Sequence, residues 1–300
     1  MTKIDLKNRP TQIHSNEVKP AYGNIVVLGA AGQLGIAVCQ ALSKLQIAYQ
    51  AKTSTELNIT DHNAVSQQLA SIKPAIIINC AAYTNVALAE QEQTQCYAVN
   101  QHAVANLARC CKAQNALLIH FSTDYVFEGE KGSPYNEQDP PNPVNHYGAS
   151  KLAGEQAIIT ADCQHYIIRT SWLYSTTGNN FYTTMQKLSK QPKTVRVVFD
   201  QLGAPTHVDE LALLVTTLIQ QYQSANALLN GIYHFCGDKT QSWYEFAQQI
   251  FKEAGSSTPL KAISTADYGA DVKRPRDSRL NTSKIKNWLK SLPSLMLSNE

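Results

Sequence analysis

The sequence has little of what marks a membrane, secreted or nucleic-acid-binding protein. No stretch approaches the about 20 consecutive apolar residues that a membrane-spanning helix needs, and the polar residues 1–22 lack the apolar core of a secretion signal. Basic residues are scattered, and the formal net charge of +3 is small for 300 residues. These absences predict a soluble, cytoplasmic protein with neither a nucleic-acid nor a membrane partner, and with a flexible extension over residues 1–22.

Metal-binding and redox motifs are also missing. The seven cysteines are an odd number, and none stands in the CxxC spacing of a metal or redox site. In a cytoplasmic protein they are expected to be reduced and to behave as small apolar side chains. No metal-ligand cluster can be identified, so no metal-binding residue is predicted.

What is present is an alternation of strand and helix patterns along most of the chain. Continuous apolar runs such as NIVVLGA (24–30), AIIINCA (75–81) and ALLIHFST (116–123) are typical of strands buried on both faces of a parallel sheet. Between them lie helical patterns, for example DHNAVSQQLASI (61–72), for which Asp61 is the predicted N-cap. Repeated units of this kind predict an α/β fold with a doubly wound parallel sheet of the Rossmann type.

The order of elements loosens beyond residue 175, which predicts a smaller, interleaved C-terminal domain. We expect residues 23–173 to form the dinucleotide-binding domain, with elements of about 207–237 returning to its sheet. Residues 174–206 and 238–300 are expected to form the substrate-binding domain.

A glycine-rich turn follows the first predicted strand. Gly29, Gly32 and Gly35 have G-x-x-G-x-x-G spacing at a strand-turn-helix position. Such a turn brings backbone close to a pyrophosphate and directs the N-terminus of a helix at it. Dinucleotide binding is the prediction, and a merely tight structural turn is the alternative.

The end of the second strand bears on the choice of cofactor. Where NAD-binding proteins carry an acid for the ribose 2′-hydroxyl, this chain has Lys52, Thr53 and Ser54 before Glu56. A lysine tolerates a 2′-phosphate better than an acid does. The sequence therefore favours NADPH and leaves NADH open.

Three residues have the properties needed to reduce a carbonyl. Thr123 ends the fourth strand, and Tyr147 and Lys151 begin the next helix one turn apart, so all three are expected at the carboxyl edge of the sheet. Thr123 would polarise a ketone, Tyr147 would donate the proton, and Lys151 would lower the phenol pKa and hold the nicotinamide ribose. The alternative for Tyr147 and Lys151 is a solvated helical pair. For Asn100, on the preceding helix, a proton relay and a structural hydrogen bond stay equally open.

Together these features resemble the extended short-chain dehydrogenase/reductases and, more narrowly, the dTDP-4-dehydrorhamnose reductase family, over about residues 24–290. The motifs that carry the resemblance, in chain order, are GQLG, NCAAYTNV, STDYVFEG, YGASKLAGE, RTSWLY, DQLGAPT and RPRDSRL. Two positions depart from the family pattern: Ala87 and Asn58 stand where the family often has an acid.

The resemblance implies reduction of the C4 ketone of dTDP-4-dehydro-L-rhamnose to dTDP-L-rhamnose by hydride from NADPH or NADH, with Thr123, Tyr147 and Lys151 as the catalytic residues. Members of the family often dimerise, sometimes around a metal, so a homodimer is one expectation. The cofactor-binding residues it implies are Gly29, Gly32, Gln33, Leu34, Gly35, Lys52, Asn58, Ile59, Ala81, Ala82, Tyr83, Tyr147 and Lys151. The substrate-binding residues it implies are Asp124, Tyr125, Val126, Phe127, Trp172, Gln201, Pro205, Thr206, Arg274 and Ser278, with Arg276 as a further candidate for the diphosphate.

Other interpretations stay open at this stage. Core packing is the alternative for Trp172, a plain turn for residues 203–205, and a solvated surface position for Arg274. A close functional variant would reduce a related NDP-4-keto-6-deoxysugar. A protein of another class, the non-catalytic regulatory subunit of methionine adenosyltransferase, resembles the same fold and binds a dinucleotide and an enzyme partner.

Overall fold

A computed structural model of the chain describes residues 22–269 and 271–293, so the predicted extension over 1–22 lies outside the described residues apart from Tyr22. The strands are β1 (Ile25–Leu28), β2 (Gln50–Lys52), β3 (Ile76–Asn79), β4 (Leu117–Thr123), β5 (His165–Thr170), β6 (Leu173–Tyr174), β7 (Val195–Val198), β8 (Leu202–Gly203), β9 (Thr206–His207), β10 (Gly231–His234), β11 (Gln241–Ser242) and β12 (Leu260–Ile263). The α-helices are α1 (Gln33–Lys44), α2 (His62–Ile72), α3 (Gln93–Tyr97), α4 (Ala103–Gln114), α5 (His146–Ala161), α6 (Phe181–Leu188), α7 (Val208–Gln221), α8 (Trp243–Glu253), α9 (Thr265–Tyr268) and α10 (Ser283–Ser291).

The large sheet has six parallel strands in the order β10-β5-β4-β3-β1-β2. From β1 the chain moves to β2 on one side and then to β3 on the other, so the order reverses between β1 and β3. In open α/β sheets, ligands bind outside the carboxyl ends of the strands at such a switch point. The predicted doubly wound parallel sheet is confirmed.

Successive side chains of the strands point to opposite faces of the sheet, and each face packs in its own apolar layer. In β1, Ile25 and Val27 pack in the layer with α1 and α7, whereas Val26 and Leu28 pack in the layer with α2 and α4. All four are at most 1% exposed, and each such burial contributes about 1.5–3 kcal/mol. Burial on both faces explains why the strand reads as a continuous apolar run.

A third apolar cluster lies away from this sheet. It joins α6, α8 and the parallel pair of β7 and β12 through Met185, Val195, Phe246 and Ile250. All of its buried members fall in the ranges 174–206 and 238–300, while α7 and β10 pack on the large sheet. This is the packing that the proposed two-domain division requires, and the division itself stays a prediction.

The pattern YAVNQHAVANLARCCKAQ (97–114) predicts one continuous helix, and the structure differs from this prediction in two ways. The helix begins earlier, at Gln93, and a π-helical segment, Ala98–His102, joins α3 to α4. π-turns insert an extra residue into a helix and often occur at functional sites. This one places Asn100, 1% exposed, against α5. Among the described residues, no helix is both long and apolar enough to cross a bilayer.

Gly154→Ala tests the close packing of α5 on the π-helical segment. A Cβ at Gly154 would lie 2.2 Å from the Asn100 carbonyl oxygen, far inside contact distance. We expect the free energy of unfolding to fall by about 1–3 kcal/mol, despite the about 1 kcal/mol gained from helix propensity. Urea unfolding measures the change, with Gln156→Ala on the exposed face of α5 as the control. An unchanged midpoint in Gly154→Ala would contradict this packing.

Candidate active site

The glycine turn after β1 brings backbone segments into direct contact. Gly29 has a φ of +70°, and a Cβ there would lie 2.6 Å from the Ala81 backbone nitrogen. A Cβ at Gly35 would lie 2.3 Å from the Gly29 carbonyl oxygen. Gly32, the N-cap of α1, supplies no side-chain hydrogen bond, so the backbone N–H groups of the first turn have no side-chain cap. Helix N-termini with free N–H groups of this kind bind anions. The geometry is therefore compatible with the predicted binding of a pyrophosphate at the start of α1.

The remaining residues of the turn contact other parts of the chain. Leu34 is buried in the core. The side-chain oxygen of Gln33 accepts a hydrogen bond from Asn180 Nδ2 at 2.8 Å. Since Asn180 is the N-cap of α6, this bond joins the glycine turn to the segment after β6, a contact across 147 residues of sequence.

The end of β2 lies beside the same turn, because the Ala30 N–H donates to the Lys52 carbonyl at 3.1 Å. Lys52 is half-buried, and Glu56 accepts hydrogen bonds from the backbone and hydroxyl of Thr53 at 2.9 and 2.8 Å. Asn58 accepts from Thr60, whereas the side chain of Ile59 is buried in the core. Lys52 therefore lies beside the glycine turn, and at Ile59 only the backbone is open to a ligand.

Asn100 holds the segment that follows β3. Its side chain accepts from the Tyr83 N–H at 2.9 Å and donates to the Tyr83 carbonyl at 3.0 Å. It also donates to Ser150 Oγ on α5 at 3.0 Å. Of the two interpretations left open by the sequence, this geometry favours a structural hydrogen bond, since both polar atoms of the amide are used. The exposed Ala82 and half-buried Ala81 and Tyr83 are thereby fixed next to the glycine turn.

Thr123 and Tyr147 meet where β4 ends and α5 begins. Thr123 Oγ1 accepts from the Tyr125 N–H at 3.1 Å and donates to Asp124 Oδ1 at 3.0 Å. Asn145 caps α5 by accepting from the Gly148 N–H at 2.8 Å, and a Cβ at Gly148 would lie 2.1 Å from the Tyr125 carbonyl oxygen. The missing side chain at Gly148 thus lets the start of α5 approach the end of β4.

Burial shifts the pKa of Tyr147 and that of Lys151. Burial raises the pKa of Tyr147 above its ordinary value, and hydrogen bonding to Thr123 is the influence that lowers it. Lys151 is only 2% exposed and donates to the Phe121 carbonyl at 2.6 Å, with His120 Nε2 3.5 Å away. Burial lowers the pKa of Lys151 to about 8, against the charges of Glu155 and Cys96. The ammonium thus donates to the end of β4, and the lowering of the phenol pKa by Lys151 stays a prediction.

A buried ion pair lies one helical turn beyond Lys151. Arg169 Nε and Nη2 donate to the two carboxylate oxygens of Glu155 at 2.9 and 2.6 Å, and the two side chains are 2% and 1% exposed. Ser122 also donates to Glu155, and Arg169 Nη1 lies 3.5 Å from His234 Nε2. Ser122, Arg169 and His234 are register partners on β4, β5 and β10, so one polar row crosses the sheet beneath the site.

The four predicted substrate contacts after Thr123 separate into two pairs. Asp124 and Tyr125 adjoin the catalytic residues, and the Tyr125 ring meets that of Tyr147 edge-on at 5.8 Å. Val126 and Phe127 have no exposed surface, and Phe127 stacks on Tyr135 at 4.1 Å. Burial in this apolar cluster argues against side-chain contact with a substrate at Val126 and Phe127.

Trp172 lies in a constrained position at the end of β5. Its φ is +48°, rare for a bulky residue, and its indole stacks on Trp243 with ring centroids 3.5 Å apart and planes 6° apart. A Cβ at Gly203 would lie 2.4 Å from this ring. Packing on Trp243 and Gly203 therefore orients Trp172, which stays half-buried.

The 200–206 loop is held by internal hydrogen bonds. Gln201 Nε2 donates to Thr265 Oγ1 at 3.1 Å, and Thr206 Oγ1 donates to the Ser171 carbonyl at 2.7 Å. Both side chains are buried, and Pro205 between them is half-buried. Gln201 and Thr206 thus support the loop, and Pro205 retains surface for a ligand.

The C-terminal motif RPRDSRL reaches the catalytic residues. Arg274 is half-buried next to the Tyr125 phenol, whose pKa burial raises to about 12 against the lowering effect of Arg274. Ser278 is buried and acts on the carboxyl of Asp124, whereas Arg276 is exposed. Arg274 and Ser278 therefore lie next to Tyr125 and Asp124, whereas Arg276 lies on the surface; their contact with a substrate stays a prediction.

The chain matches a known family over nearly all of its length. The family model described as the RmlD substrate binding domain matches residues 23–294. A dTDP-4-dehydrorhamnose reductase of Aggregatibacter actinomycetemcomitans is 39% identical over 281 residues, covering 90% of this chain and 94% of that protein. The spore coat polysaccharide biosynthesis protein SpsK of Bacillus subtilis is 37% identical, covering 86% and 88%. The chain belongs to the dTDP-4-dehydrorhamnose reductase family.

A solved structure agrees with this membership, and the resemblance stated from the motifs is confirmed. The dTDP-4-dehydrorhamnose reductase of Bacillus anthracis, crystallised in complex with NADP, superposes with a TM-score of 0.84 at 36% identity and covers 90% of this chain and 93% of its own. Within residues 22–269 and 271–293, no group of three His, Cys, Asp or Glu side chains converges as metal ligands would.

Several residues around this reductase site were not singled out from the sequence. Glu155 and Arg169 lie in the quoted motifs YGASKLAGE and RTSWLY without a predicted role, and no role was predicted for His120 or Trp243 either. A signal existed for two of them: His120 and Arg169 are polar residues inside apolar strands. A polar residue in a strand buried on both faces needs a buried partner, and these two have Lys151 and Glu155.

Glu155→Gln tests whether the ion pair stabilises this arrangement. Removing one charge of a buried pair leaves the other uncompensated, so we expect the free energy of unfolding to fall by about 3–5 kcal/mol. The midpoint of urea unfolding measures the loss. Lys112→Ala, which breaks the exposed ion pair with Asp162, is the control and should leave the midpoint nearly unchanged. Equal shifts in the two variants would contradict a special role for the buried pair.

Proposed function

We propose that this chain reduces the C4 ketone of dTDP-4-dehydro-L-rhamnose, with NADPH as the hydride source, to give dTDP-L-rhamnose. The chain is an NAD(P)-dependent oxidoreductase of the family established above. The observation that carries the proposal is the position of Thr123, Tyr147 and Lys151 together at the carboxyl edge of the sheet, beside the glycine turn at the β1–β3 switch point.

The residues present fit a bound dinucleotide. The close backbone approaches at Gly29 and Gly35 would hold the pyrophosphate at the start of α1. Lys52 would meet the adenosine ribose and its 2′-phosphate. When bound, NADPH would supply the hydride to the sugar carbon.

The chain's own residues would then control the proton and the oxygen. Thr123 would hold the ketone oxygen, and Tyr147 would donate its phenolic proton to that oxygen as the carbon is reduced. Lys151, held by Phe121, would place a positive charge under the site. Arg274, beside Tyr125, would bind the diphosphate through charge-assisted hydrogen bonds. Trp172, oriented by Trp243, would pack on the sugar ring.

The reaction is tested by following NADPH oxidation with dTDP-4-dehydro-L-rhamnose generated in situ and by identifying the product by NMR. In Tyr147→Phe we expect kcat to fall by about 10²-fold or more, because the proton donor is lost, while NADPH binding is retained. Tyr166→Phe is the matched control, since that phenol donates to the Leu228 carbonyl at 2.9 Å and is a core residue without a site role. NADPH binding without turnover in the unmodified protein would refute the proposed reaction, and near-normal turnover in Tyr147→Phe would remove Tyr147 from it.

Lys52→Glu tests the cofactor preference. A carboxylate at this position would repel the 2′-phosphate, so the Kd for NADPH should rise more than the Kd for NADH. Fluorescence titration with both dinucleotides measures the two constants. Lys44→Glu makes the same charge change at an exposed position in the last turn of α1 and should leave their ratio unchanged. Equal weakening of both cofactors by Lys52→Glu would show that Lys52 does not meet the 2′-phosphate.

A further inference from the structure

The carboxylate of Glu90 contacts the first residue of the helix that carries Tyr147. Glu90 Oε1 accepts a hydrogen bond from the His146 N–H at 2.8 Å, a contact across 56 residues of sequence. His146 begins α5, so its N–H belongs to the first turn, whose donors have no partner within the helix. The helix dipole also favours a negative charge there. Glu90 is half-buried, and no ion pair of the described residues includes it.

This bond is the last of a row of contacts along one face of α5. Further down the helix, Ser150 Oγ accepts from Asn100 Nδ2 at 3.0 Å, and the Asn100 carbonyl approaches Gly154. These positions and the first residue of α5 follow at intervals of four, so they share one face. Ser150 and Gly154 thus hold the middle of the helix, whereas Glu90 holds the turn that contains Tyr147.

Glu90 extends from an anchored turn. The 3₁₀ turn Leu88–Glu90 is closed by Asn85, which accepts from the Leu88 N–H with its side chain at 3.1 Å and from the Ala89 N–H with its carbonyl at 2.9 Å. Ala89 has no exposed surface, and Gln93 Nε2 donates to the Glu90 carbonyl at 3.0 Å. A carboxylate held in this way can restrain the helix that it contacts.

The same stretch of chain also reaches the cofactor side of the cleft. Ala81 lies against the glycine turn, since a Cβ at Gly29 would come within 2.6 Å of its backbone nitrogen. Residues 81–90 therefore join the glycine turn to the start of α5. Loss of the Glu90 contact would release the first turn of α5 from this stretch, while the middle of the helix stays held.

Resting on the reductase function proposed above, we propose that Glu90 is a positioning residue for the proton transfer. Its hydrogen bond to His146 sets where Tyr147 lies relative to the ketone and to the cofactor side of the cleft. Proton transfer needs a donor and an acceptor within about 2.6–3.2 Å, and a displacement of about 1 Å can cost about 10²-fold in rate. Glu90 itself gives no proton and touches no reacting atom. Its loss should therefore lower kcat and leave ligand binding in place.

Two substitutions separate the hydrogen bond from the charge. Glu90→Ala removes the contact, and we expect kcat to fall about 10-fold or more. Glu90→Gln keeps an acceptor oxygen, so kcat should stay within about 3-fold of that of the unmodified protein, because the charge adds little beyond the bond. The KM for the sugar nucleotide and the Kd for NADPH should be unchanged in both variants. Steady-state kinetics with NADPH and dTDP-4-dehydro-L-rhamnose and fluorescence titration measure these constants.

Asp61→Ala is the matched control. Asp61 caps α2 by accepting from the Ala64 N–H at 2.9 Å, so its loss also removes a carboxylate from a helix N-terminus. No predicted site residue lies on α2. Both alanine variants should unfold at a lower urea concentration than the unmodified protein, and only Glu90→Ala should lose kcat.

Several outcomes would overturn the proposal. An unchanged kcat in Glu90→Ala would make Glu90 a cap of α5 and nothing more. An equal loss of kcat in Glu90→Gln would assign the effect to the charge, and a raised KM or Kd with unchanged kcat would make Glu90 a binding residue.

A shorter carboxylate decides if Glu90→Ala fails to fold. Glu90→Asp keeps the charge and draws the carboxylate back from His146, so kcat should fall about 10-fold or more here as well, and an unchanged kcat would refute the positioning role. Absence of any turnover by the unmodified protein refutes the reductase function instead, so the two failures are distinguishable.

Discussion

The ion pair between Glu155 and Arg169 ties the helix that carries Tyr147 and Lys151 to the strand next to β4. Both charges are removed from water, and their bidentate geometry uses both carboxylate oxygens. With Ser122 as a further donor, the carboxylate has few ways to shift without leaving a buried polar atom unpaired, which is expensive in a low-dielectric interior. The turn of α5 that carries Tyr147 and Lys151 is thus fixed by a buried contact with the sheet.

Close backbone approaches fix the same site from the other sides. The missing side chains let the Tyr125 carbonyl approach Gly148, the Asn100 carbonyl approach Gly154, and the segment after β3 approach Gly29. Each approach would be blocked by a single Cβ, so contact between elements requires glycine at all three positions, and the positive φ of Gly29 favours glycine there as well. Asn100 then uses both atoms of its amide to hold Tyr83, which joins the cofactor side of the cleft to the helix of the proton donor.

The ionisable side chains of the cleft are mostly buried, and burial shifts their pKa values. Lys151 and His120 are buried with their polar atoms directed at β4 and at each other, and burial holds the pKa of His120 well below its ordinary range. Asp124 forms no ion pair with any described residue, and burial raises the pKa of the phenols of Tyr125 and Tyr147. At neutral pH the two phenols of this site therefore keep their protons, whereas His120 is neutral.

The sequence by itself determined the sheet and the glycine turn, and it indicated Thr123, Tyr147 and Lys151 as the candidate catalytic residues, because each depends on local pattern. Apolar runs mark strands buried on both faces, and Tyr-x-x-x-Lys places two side chains on one face of a helix. Ordered short motifs indicated the family. The tertiary structure alone decided which atoms those side chains contact. Lys151 donates to the Phe121 carbonyl, Phe127 is buried against Tyr135, and Trp172 stacks on Trp243. Such contacts join residues far apart in the chain, and burial and pKa follow from that packing, which no local pattern contains.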